Sequence, residues 1–358
     1  MENQEKVHKR RVRYSGTHPR SYKEKYKEHN PEKYADTIEK VIRKGSTPAG
    51  MHISIMVNEI LDFLQIKPGQ VGLDATLGYG GHTKAMLQKL EGSGHIYALD
   101  VDPIESAKTK ERLASQGFGE DILTVRLQNF ADIDQVVKDT GRKLDFILAD
   151  LGVSSMQIDN PERGFSFRAD AALDMRMDNR ENEQRANSKE QILTAAQLIE
   201  ALSVSELAHI LRDYGDVKKA NILARAIKNA APKTTFELRD LIHNPKDVAP
   251  VFQALRIAVN DEMGEVERAM AAVPDLLVAG GKCVCVTFHS LEDRIVKNIF
   301  RKWTAAPGDP RLPVLQDAPF RLIKTVLPSD EEVANNPRAR SAHMRGVIKN
   351  GGADEAEC

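Results

Sequence analysis

Short apolar runs alternate with amphipathic segments between residues 71 and 150, and this alternation predicts strands separated by helices. The predicted strands are Val71–Asp74, His95–Asp100, Leu123–Leu127 and Leu144–Asp150, and the predicted helices are 83–90, 103–115 and 133–138. Strands that are almost wholly apolar need cover on both faces, which is typical of a parallel sheet with right-handed crossovers. We therefore expect an α/β fold whose ligands bind at the carboxyl ends of the strands.

The alternation stops near Pro161 and resumes near residue 250. Between these points the apolar spacing predicts helices 193–211, 218–229 and 235–242 with no strand between them, and therefore an inserted helical substrate-recognition domain over 161–249. Ser54 is the expected N-cap of an opening helix, and Ser290 with Asp293 the expected capping box of a late one. The remaining predicted elements are a helix 251–273, a strand 282–288, a helix 290–303 and strands 320–327 and 341–348. The core is then built from residues 51–160 and 250–350.

Charge changes this picture only near the termini. The whole chain of 358 residues has a formal net charge of -1, so its overall charge does not indicate a polyanionic partner. Residues 1–50 differ, because they carry a net charge of +6 and four tyrosines. This basic extension suits nucleic acid, and a solvated tail is an equally good interpretation. Residues 351–358 form a short acidic tail.

Three cysteines do not form a disulfide framework, and Cys283 and Cys285 lie in one apolar run where buried thiols are expected rather than zinc ligands. We find neither an apolar run long enough to span a membrane nor a signal peptide. The sequence therefore predicts a cytoplasmic protein that has no membrane partner.

Acidic residues end three of the predicted strands, and a glycine-rich turn follows the first. Asp74 precedes Gly78, Gly80 and Gly81, whose flexible backbone lets a ligand approach the start of a helix. A dinucleotide site would have a third glycine where this chain has Thr83, which disfavours a nicotinamide cofactor. Asp100 is placed to bind a ribose.

Asp150 ends the fourth strand, beside the reactive part of any ligand held there. Enzymes that methylate an exocyclic amine place an acid or amide at this point, because the conjugated amine is a poor nucleophile. An oxygen acceptor orients it and stabilises the positive charge that develops. Asp150 is the candidate catalytic residue.

Seven ordered blocks between residues 52 and 345 closely resemble the MraW-type 16S ribosomal RNA cytosine-N4 methyltransferases. The blocks are Gly-Tyr-Gly-Gly-His (78–82), Asp-Leu-Gly-Val-Ser-Ser (150–155), Arg-Gly-Phe-Ser-Phe (163–167), Leu-Asp-Met-Arg-Met-Asp (173–178), Phe-Gln-Ala-Leu-Arg-Ile (252–257), Phe-His-Ser-Leu-Glu-Asp-Arg-Ile-Val-Lys (288–297) and Asn-Pro-Arg-Ala-Arg-Ser (336–341). The resemblance implies a Rossmann-like class I methyltransferase with a mostly parallel, doubly wound sheet. It also implies S-adenosylmethionine as cofactor and a cytidine in the decoding region of the small ribosomal subunit, or of its precursor, as target.

The resemblance also implies individual contacts. The implied cofactor contacts are Gly80, Gly81, His82, Asp100, Phe130, Asp150 and Gln157. The predicted RNA contacts, which combine cations with aromatic rings, are Arg163, Phe165, Phe167, Arg168, Arg338 and Arg340, with Arg345 in the same late basic cluster. No metal is required, and a homodimer is kept open.

Three segments depart from the family pattern: the long start before His52, the residues after Phe167, and residues 216–221. These departures make the target nucleotide less certain than the methyl-transfer reaction. Three other functions therefore stay open: a methyltransferase of the same fold acting on a different RNA, a nicotinamide-dependent oxidoreductase, and a non-catalytic RNA-binding factor in ribosome assembly.

Overall fold

The computed structural model describes residues 54–154, 157–158, 160–178, 192–306 and 317–351, all of which belong to one compact unit, His52–Cys358. The basic extension and residues 352–358 of the acidic tail lie outside the described residues. None of the helices in the described ranges combines the length and the apolar character that crossing a bilayer requires.

A seven-stranded sheet forms the centre of the fold, in the order β3-β2-β1-β4-β5-β7-β6. The strands are β1 Val71–Asp74, β2 His95–Asp100, β3 Leu123–Leu127, β4 Leu144–Asp150, β5 Leu277–Thr287, β6 Phe320–Leu322 and β7 His343–Lys349. β1 to β5 pair in parallel, whereas β7 runs antiparallel to β5 and to β6. The predicted doubly wound α/β fold is confirmed, and β1 lies between β2 and β4.

Helices lie between the strands and fill the region between β4 and β5. They are α1 Val57–Leu64, α2 Gly81–Leu90, α3 Pro103–Ser115, α4 Asp134–Thr140, α5 Ala195–Ala201, α6 Val204–Asp213, α7 Ala220–Ala230, α8 Thr235–Asp240, α9 Pro245–Asn260, α10 Glu262–Leu276, α11 Ser290–Trp303 and α12 Asp330–Asn335. Ser54 does not cap α1, since that helix begins after Met56, whose backbone is left-handed and provides no side-chain cap.

Successive residues of β4 enter different apolar clusters, which explains the unbroken apolar run of this strand. Ile147 and Ala149 pack with α10 and α11, whereas Phe146 and Leu148 pack with α1 and α2. Because strand side chains alternate between faces, both faces of the sheet are covered. Cys283 and Cys285 are free thiols buried in the first of these clusters, as predicted.

The helical region has an apolar cluster of its own, drawn from residues 165–259. The single helix predicted over 251–273 is wrong, because Asp261 adopts a left-handed conformation (φ 48°) and separates α9 from α10. The helix predicted over 193–211 is likewise two helices. Capping boxes at Thr194 with Gln197 and at Ser203 with Glu206 begin them separately.

Candidate active site

Three carboxylates lie at the carboxyl edge of the sheet, at the ends of adjacent strands. Asp100, Asp74 and Asp150 end β2, β1 and β4, which are neighbours in that order. The crossover direction reverses at β1, and such a reversal opens a crevice at this edge of a parallel sheet. The predicted acids are therefore brought to one place.

Asp74 is fully buried and organises the turn that follows it. Its Oδ2 accepts a hydrogen bond of 2.6 Å from the Thr83 hydroxyl, and its Oδ1 accepts one of 3.1 Å from the backbone N–H of Thr76. Burial raises the pKa of Asp74, and these hydrogen bonds oppose that rise. Thr83 thus holds the buried acid by a bond that a glycine could not make.

Thr76 joins the ends of β1 and β4. Its hydroxyl accepts a hydrogen bond of 2.8 Å from the backbone N–H of Asp150 and donates a longer one, of 3.4 Å, to Asp74. The sequence did not single out Thr76, because only the strand order brings these residues together. The backbone of the candidate catalytic residue is fixed by this contact.

The glycine turn needs its glycines for two different reasons. Gly80 has a left-handed backbone (φ 69°), and a Cβ there would lie 2.7 Å from Cγ2 of Thr109. A Cβ on Gly81 would lie 2.0 Å from Oγ of Ser54. No side chain caps the start of α2, so the turn presents backbone N–H groups at a helix N-terminus.

Asp100 is held by backbone donors on both of its oxygens. Oδ2 accepts from the N–H of Gly78 (2.9 Å) and Oδ1 from that of Asp102 (2.8 Å). A carboxylate oxygen has two lone pairs, so each retains one for a further donor. Burial is the largest cause that raises the pKa of Asp100 to about 6.

Asp150 is the one member of the trio with an unused buried acceptor. Its Oδ1 is buried and has no hydrogen-bond partner among the described residues, although 24% of the side chain is exposed. Its Oδ2 lies 3.6 Å from Nδ1 of His82, whose Nε2 is hydrogen-bonded to the carbonyl of Ile55 (2.9 Å). A carbonyl only accepts, so Nε2 carries a proton.

The pKa of Asp150 is raised to about 6, and burial is the main cause. His82 lowers this pKa, whereas the neighbouring carboxylates Asp74 and Glu292 raise it. An acid whose pKa is near neutrality can hold a hydrogen-bond donor and can also accept a proton.

Phe130 and Gln157 lie in the segments that follow β3 and β4 at this edge. Phe130 follows β3 closely, and the N–H of Gln128 two residues earlier donates to the carbonyl of Asp100 (2.9 Å). Gln157 lies after β4, where its Oε1 accepts from the N–H of Ser154 (2.9 Å). Their role in binding a ligand stays a prediction.

Two residues of the predicted RNA surface are packed inside the protein. The guanidinium of Arg163 forms a 2.6 Å ion pair with Asp102, and only 10% of the Arg163 side chain is exposed. Phe165 is buried at 7% exposure in the helical cluster. The prediction that these two residues contact RNA is therefore corrected: an internal acid and an apolar cluster already occupy them.

Phe167 is also engaged, since its ring packs edge-on against that of Phe252 at 5.5 Å between centroids. The remaining cations differ in exposure. Arg168, Arg338 and Arg340 are exposed. Arg345, which the sequence placed with them, instead forms a bidentate pair with Asp293 on α11 at 2.7 and 2.9 Å. Arg345 is thus a structural residue.

A buried polar group that the sequence did not identify lies close to the Asp150 loop. The guanidinium of Arg256 binds both oxygens of Glu262, at 2.7 and 2.8 Å, and Nε2 of His289 lies 3.0 Å from Glu292. Metal-ligating atoms of Glu262, His289 and Glu292 lie within 4.8 Å of one another. Arg256 already balances the charge of Glu262, so we interpret the group as an ion-pair network.

The start of α11 also differs from the expected capping box. His289 is the N-cap, and its side chain accepts from the N–H of Glu292. Ser290 is the first helical residue, while Asp293 pairs with Arg345. The prediction that Ser290 and Asp293 form a capping box is therefore wrong.

Comparison with known proteins finds matches over most of the chain. The model of the MraW methylase family matches residues 49–350. A "Ribosomal RNA small subunit methyltransferase H 1" of Lachnoclostridium phytofermentans is 51% identical, over 97% of this chain and 95% of its own. A protein of the same name from Agathobacter rectalis is 50% identical, over 97% of this chain and 99% of its own. "Ribosomal RNA small subunit methyltransferase H 2" of Alkaliphilus metalliredigens is 45% identical, over 98% and 100%.

These three alignments reach well into the basic extension, which the family model does not include. The long start before residue 52 is therefore shared with full-length relatives rather than peculiar to this sequence. By the extent of these matches, the chain belongs to the MraW methylase family.

Proposed function

We propose that this methyltransferase uses S-adenosylmethionine to methylate the N4 amino group of a cytidine in 16S ribosomal RNA, in the decoding region of the small subunit. The names of its relatives support a small-subunit ribosomal RNA substrate. The observation that carries the chemistry is the buried Oδ1 of Asp150 at the carboxyl edge of the sheet, which has no hydrogen-bond partner in the part of the chain that the structure describes. An acceptor of this kind awaits a donor from a ligand.

The residues present fit the proposed cofactor. Asp100 keeps an unused lone pair on each oxygen, which suits the two hydroxyls of a ribose. Gly80 and Gly81 let the turn pack closely against Thr109 and Ser54, and the uncapped start of α2 offers backbone N–H groups to a ligand. Phe130 offers an aromatic ring beside the same edge, and Gln157 an amide. When bound, S-adenosylmethionine supplies an electrophilic methyl group on a positively charged sulfur.

Asp150 performs the central step on the substrate side. Its Oδ1 accepts a hydrogen bond from the cytidine amine, fixes the direction of the nitrogen lone pair and stabilises the positive charge that grows on that nitrogen. Above pH 6 the carboxyl is mostly ionised, because its pKa is about 6. Nδ1 of His82 lies 3.6 Å from the other oxygen, and His82 lowers the pKa of this carboxyl, which favours its ionised form.

A cytidine reaches Asp150 only if it leaves the base stack, which requires the RNA backbone to be held nearby. Arg168, Arg338 and Arg340 are exposed and suit phosphates, since a guanidinium presents a planar set of donors. The basic extension adds positive charge for the same purpose. We place this reaction in the cytoplasm, and a homodimer stays a prediction.

Tritium transfer from labelled S-adenosylmethionine to small subunits isolated from cells that lack the gene tests this function. We expect label in 16S ribosomal RNA, and nuclease digestion with mass mapping should locate it on N4 of one cytidine. Label on another RNA would show that the enzyme methylates a different RNA. Absence of label despite RNA binding would favour an assembly factor. Calorimetry that detected binding of NAD and none of S-adenosylmethionine would favour an oxidoreductase.

A further inference from the structure

Three segments of the chain meet at the carboxylate of Asp102, which is 1% exposed. Its Oδ1 accepts from the N–H groups of Ile104 and Glu105, both at 3.1 Å, and so caps α3. Its Oδ2 accepts 2.6 Å from the guanidinium of Arg163 and 3.4 Å from the side-chain amide of Gln157. The loop after β2, the loop after β4 and the segment leading to the helical insert thus share one acid.

Arg163 uses its guanidinium on both sides of this junction. One terminal nitrogen binds Asp102, and the other donates to the carbonyls of Arg176 (3.1 Å) and Met177 (2.6 Å). The backbone of Arg163 also accepts from the N–H of Met175 (3.1 Å). Segment 163–177 is therefore closed on itself by the same residue that binds the core.

The contacts continue to the end of α9. Oδ1 of Asn260 accepts from the N–H of Met177 (2.7 Å), and its amide donates to the carbonyl of Met175 (2.8 Å). In the other direction, the N–H of Asp102 holds Oδ1 of Asp100. A continuous set of hydrogen bonds therefore runs from the candidate ribose acid to the last residue of α9.

We propose that Arg163 is a positioning residue which, through Asp102, ties the cofactor-binding loops of Asp100 and Gln157 to segment 163–177 of the substrate side. This inference rests on the proposed function, and it replaces the RNA contact expected for Arg163. The pair makes the cofactor site and the substrate side one mechanical unit, so loosening either weakens the other.

The burial of the Arg163–Asp102 pair supports a positioning role rather than a contact with a ligand at the surface. The side chain of Asp102 is 1% exposed and that of Arg163 is 10% exposed, so removal of either partner leaves a buried charge without its counterion. The two carbonyls that Arg163 binds would also lose a donor. Asn is as good an N-cap as Asp, so Asp102→Asn removes the charge while it keeps the start of α3 intact.

The test compares Arg163→Met, Asp102→Asn, the double variant and a control in the full chain. The control is Arg126→Met, which breaks an Arg–Asp pair of the same 2.6 Å length whose side chains are 22% and 45% exposed. Hydrogen exchange is measured over segment 163–177 and over α7, and calorimetry gives the dissociation constant for S-adenosylmethionine. Methyl-transfer kinetics then give KM for small subunits.

We expect each single variant to speed exchange in segment 163–177 while α7 stays protected. We also expect each to bind S-adenosylmethionine about tenfold more weakly, and the double variant to be no worse than the weaker single variant. Arg126→Met should match the wild type in both readouts. Arg163→Lys, which keeps the charge but not the two-sided contact, should recover only part of the affinity.

Two results would overturn the proposal. One is unchanged exchange in segment 163–177 in both single variants. The other is faster exchange in α7 together with a lower melting temperature, large enough to account for the weaker binding. That result would show that Arg163 and Asp102 stabilise the whole fold rather than position these segments. If the wild type bound no S-adenosylmethionine, the proposed function would fail, while the exchange data would still decide whether Arg163 and Asp102 position these segments.

Discussion

The sheet edge and the helical insert treat their polar groups in opposite ways. At the edge, every carboxylate oxygen of Asp74 and Asp100 accepts at least one hydrogen bond, and Asp150 is left with a buried acceptor that has no partner among the described residues. In the insert, polar side chains cap helices, and the buried ones pair internally. The edge therefore leaves an acceptor available to a ligand, whereas the polar groups of the insert serve its own stability.

The first and largest test of this contrast is Asp150→Ala. Removing this buried acceptor should lower kcat for methyl transfer by about 100- to 1000-fold, as loss of a preorganised charge-stabilising group does elsewhere. The kcat of Asp150→Asn should lie between those of the wild type and Asp150→Ala, because its amide oxygen can orient an amine but carries no charge. Single-turnover methyl transfer gives these rates, with RNA affinity measured in parallel as the control. A rate for Asp150→Ala within threefold of wild type would remove the catalytic role.

The second test uses stability against pH, because an unsatisfied active-site acid should destabilise the fold. Burial raises the pKa of Asp150 from 3.8 to about 6, so the folded state binds more protons than the unfolded state between these values. Stability is then lost as pH rises through this window. Asp150→Asn should therefore exceed the wild type in free energy of unfolding by up to about 3 kcal/mol above pH 6.

Urea unfolding between pH 4 and pH 8 checks this prediction. The advantage of Asp150→Asn should grow from pH 4 to pH 6 and then level off. An advantage that did not change with pH would show that this carboxyl titrates normally and is not held in a desolvated site.

The third test separates backbone strain from space in the glycine turn. Gly80 and Gly141 have nearly the same backbone angles, φ 69° and ψ 19° against φ 64° and ψ 12°. A Cβ meets Thr109 at 2.7 Å in the first and nothing within 4 Å in the second. Gly80→Ala should therefore destabilise the protein by about 1–3 kcal/mol more than Gly141→Ala.

Denaturant unfolding of both glycine variants measures this difference, and calorimetry measures affinity for S-adenosylmethionine. Only Gly80→Ala should bind the cofactor more weakly. Equal losses of stability and affinity in the two variants would mean that the turn needs conformational freedom alone and that close packing at Gly80 is unimportant.

The smallest effect is expected on the surface. Arg340→Ala should weaken RNA binding only a few-fold and reduce the slope of log affinity against log salt by about 1, as loss of one phosphate contact does. Its melting temperature should not change. Arg345→Met, by contrast, breaks the pair with Asp293 and should lower the melting temperature. Filter binding at several salt concentrations checks the RNA affinity of Arg340→Ala, and thermal denaturation gives the melting temperatures of both variants. An unchanged slope for Arg340→Ala would exclude it from the RNA surface.

The three acids at the carboxyl edge of the sheet could be predicted because their positions follow from local sequence patterns. Each acid follows an apolar run directly, and parallel strands place such residues together whatever the rest of the fold. The sequence identified Thr83 as the residue that replaces the third glycine of a dinucleotide motif. Its hydrogen bond to Asp74 became apparent only in the structure. The capping boxes at Thr194 and Ser203 were visible in the sequence but were covered by a continuous apolar spacing.

The errors concern contacts between residues far apart in the chain. Arg163 and Asp102 are 61 positions apart, and Arg345 and Asp293 are 52 apart. No spacing rule connects them, so an arginine beside aromatic residues resembles a nucleic-acid contact until its partner is known. The break at Asp261 was missed for a different reason, because a single left-handed residue does not interrupt helical periodicity.

The central claim is that the carboxyl edge of the sheet holds a sulfonium donor with Asp150 facing the incoming base. A crystal structure with S-adenosylhomocysteine tests it most directly. The account predicts ribose hydroxyls at about 2.5–3.0 Å from the Asp100 carboxylate and the product sulfur on the side of the crevice that Asp150 lines. An empty crevice, or a ligand whose sulfur points away from Asp150, would contradict it.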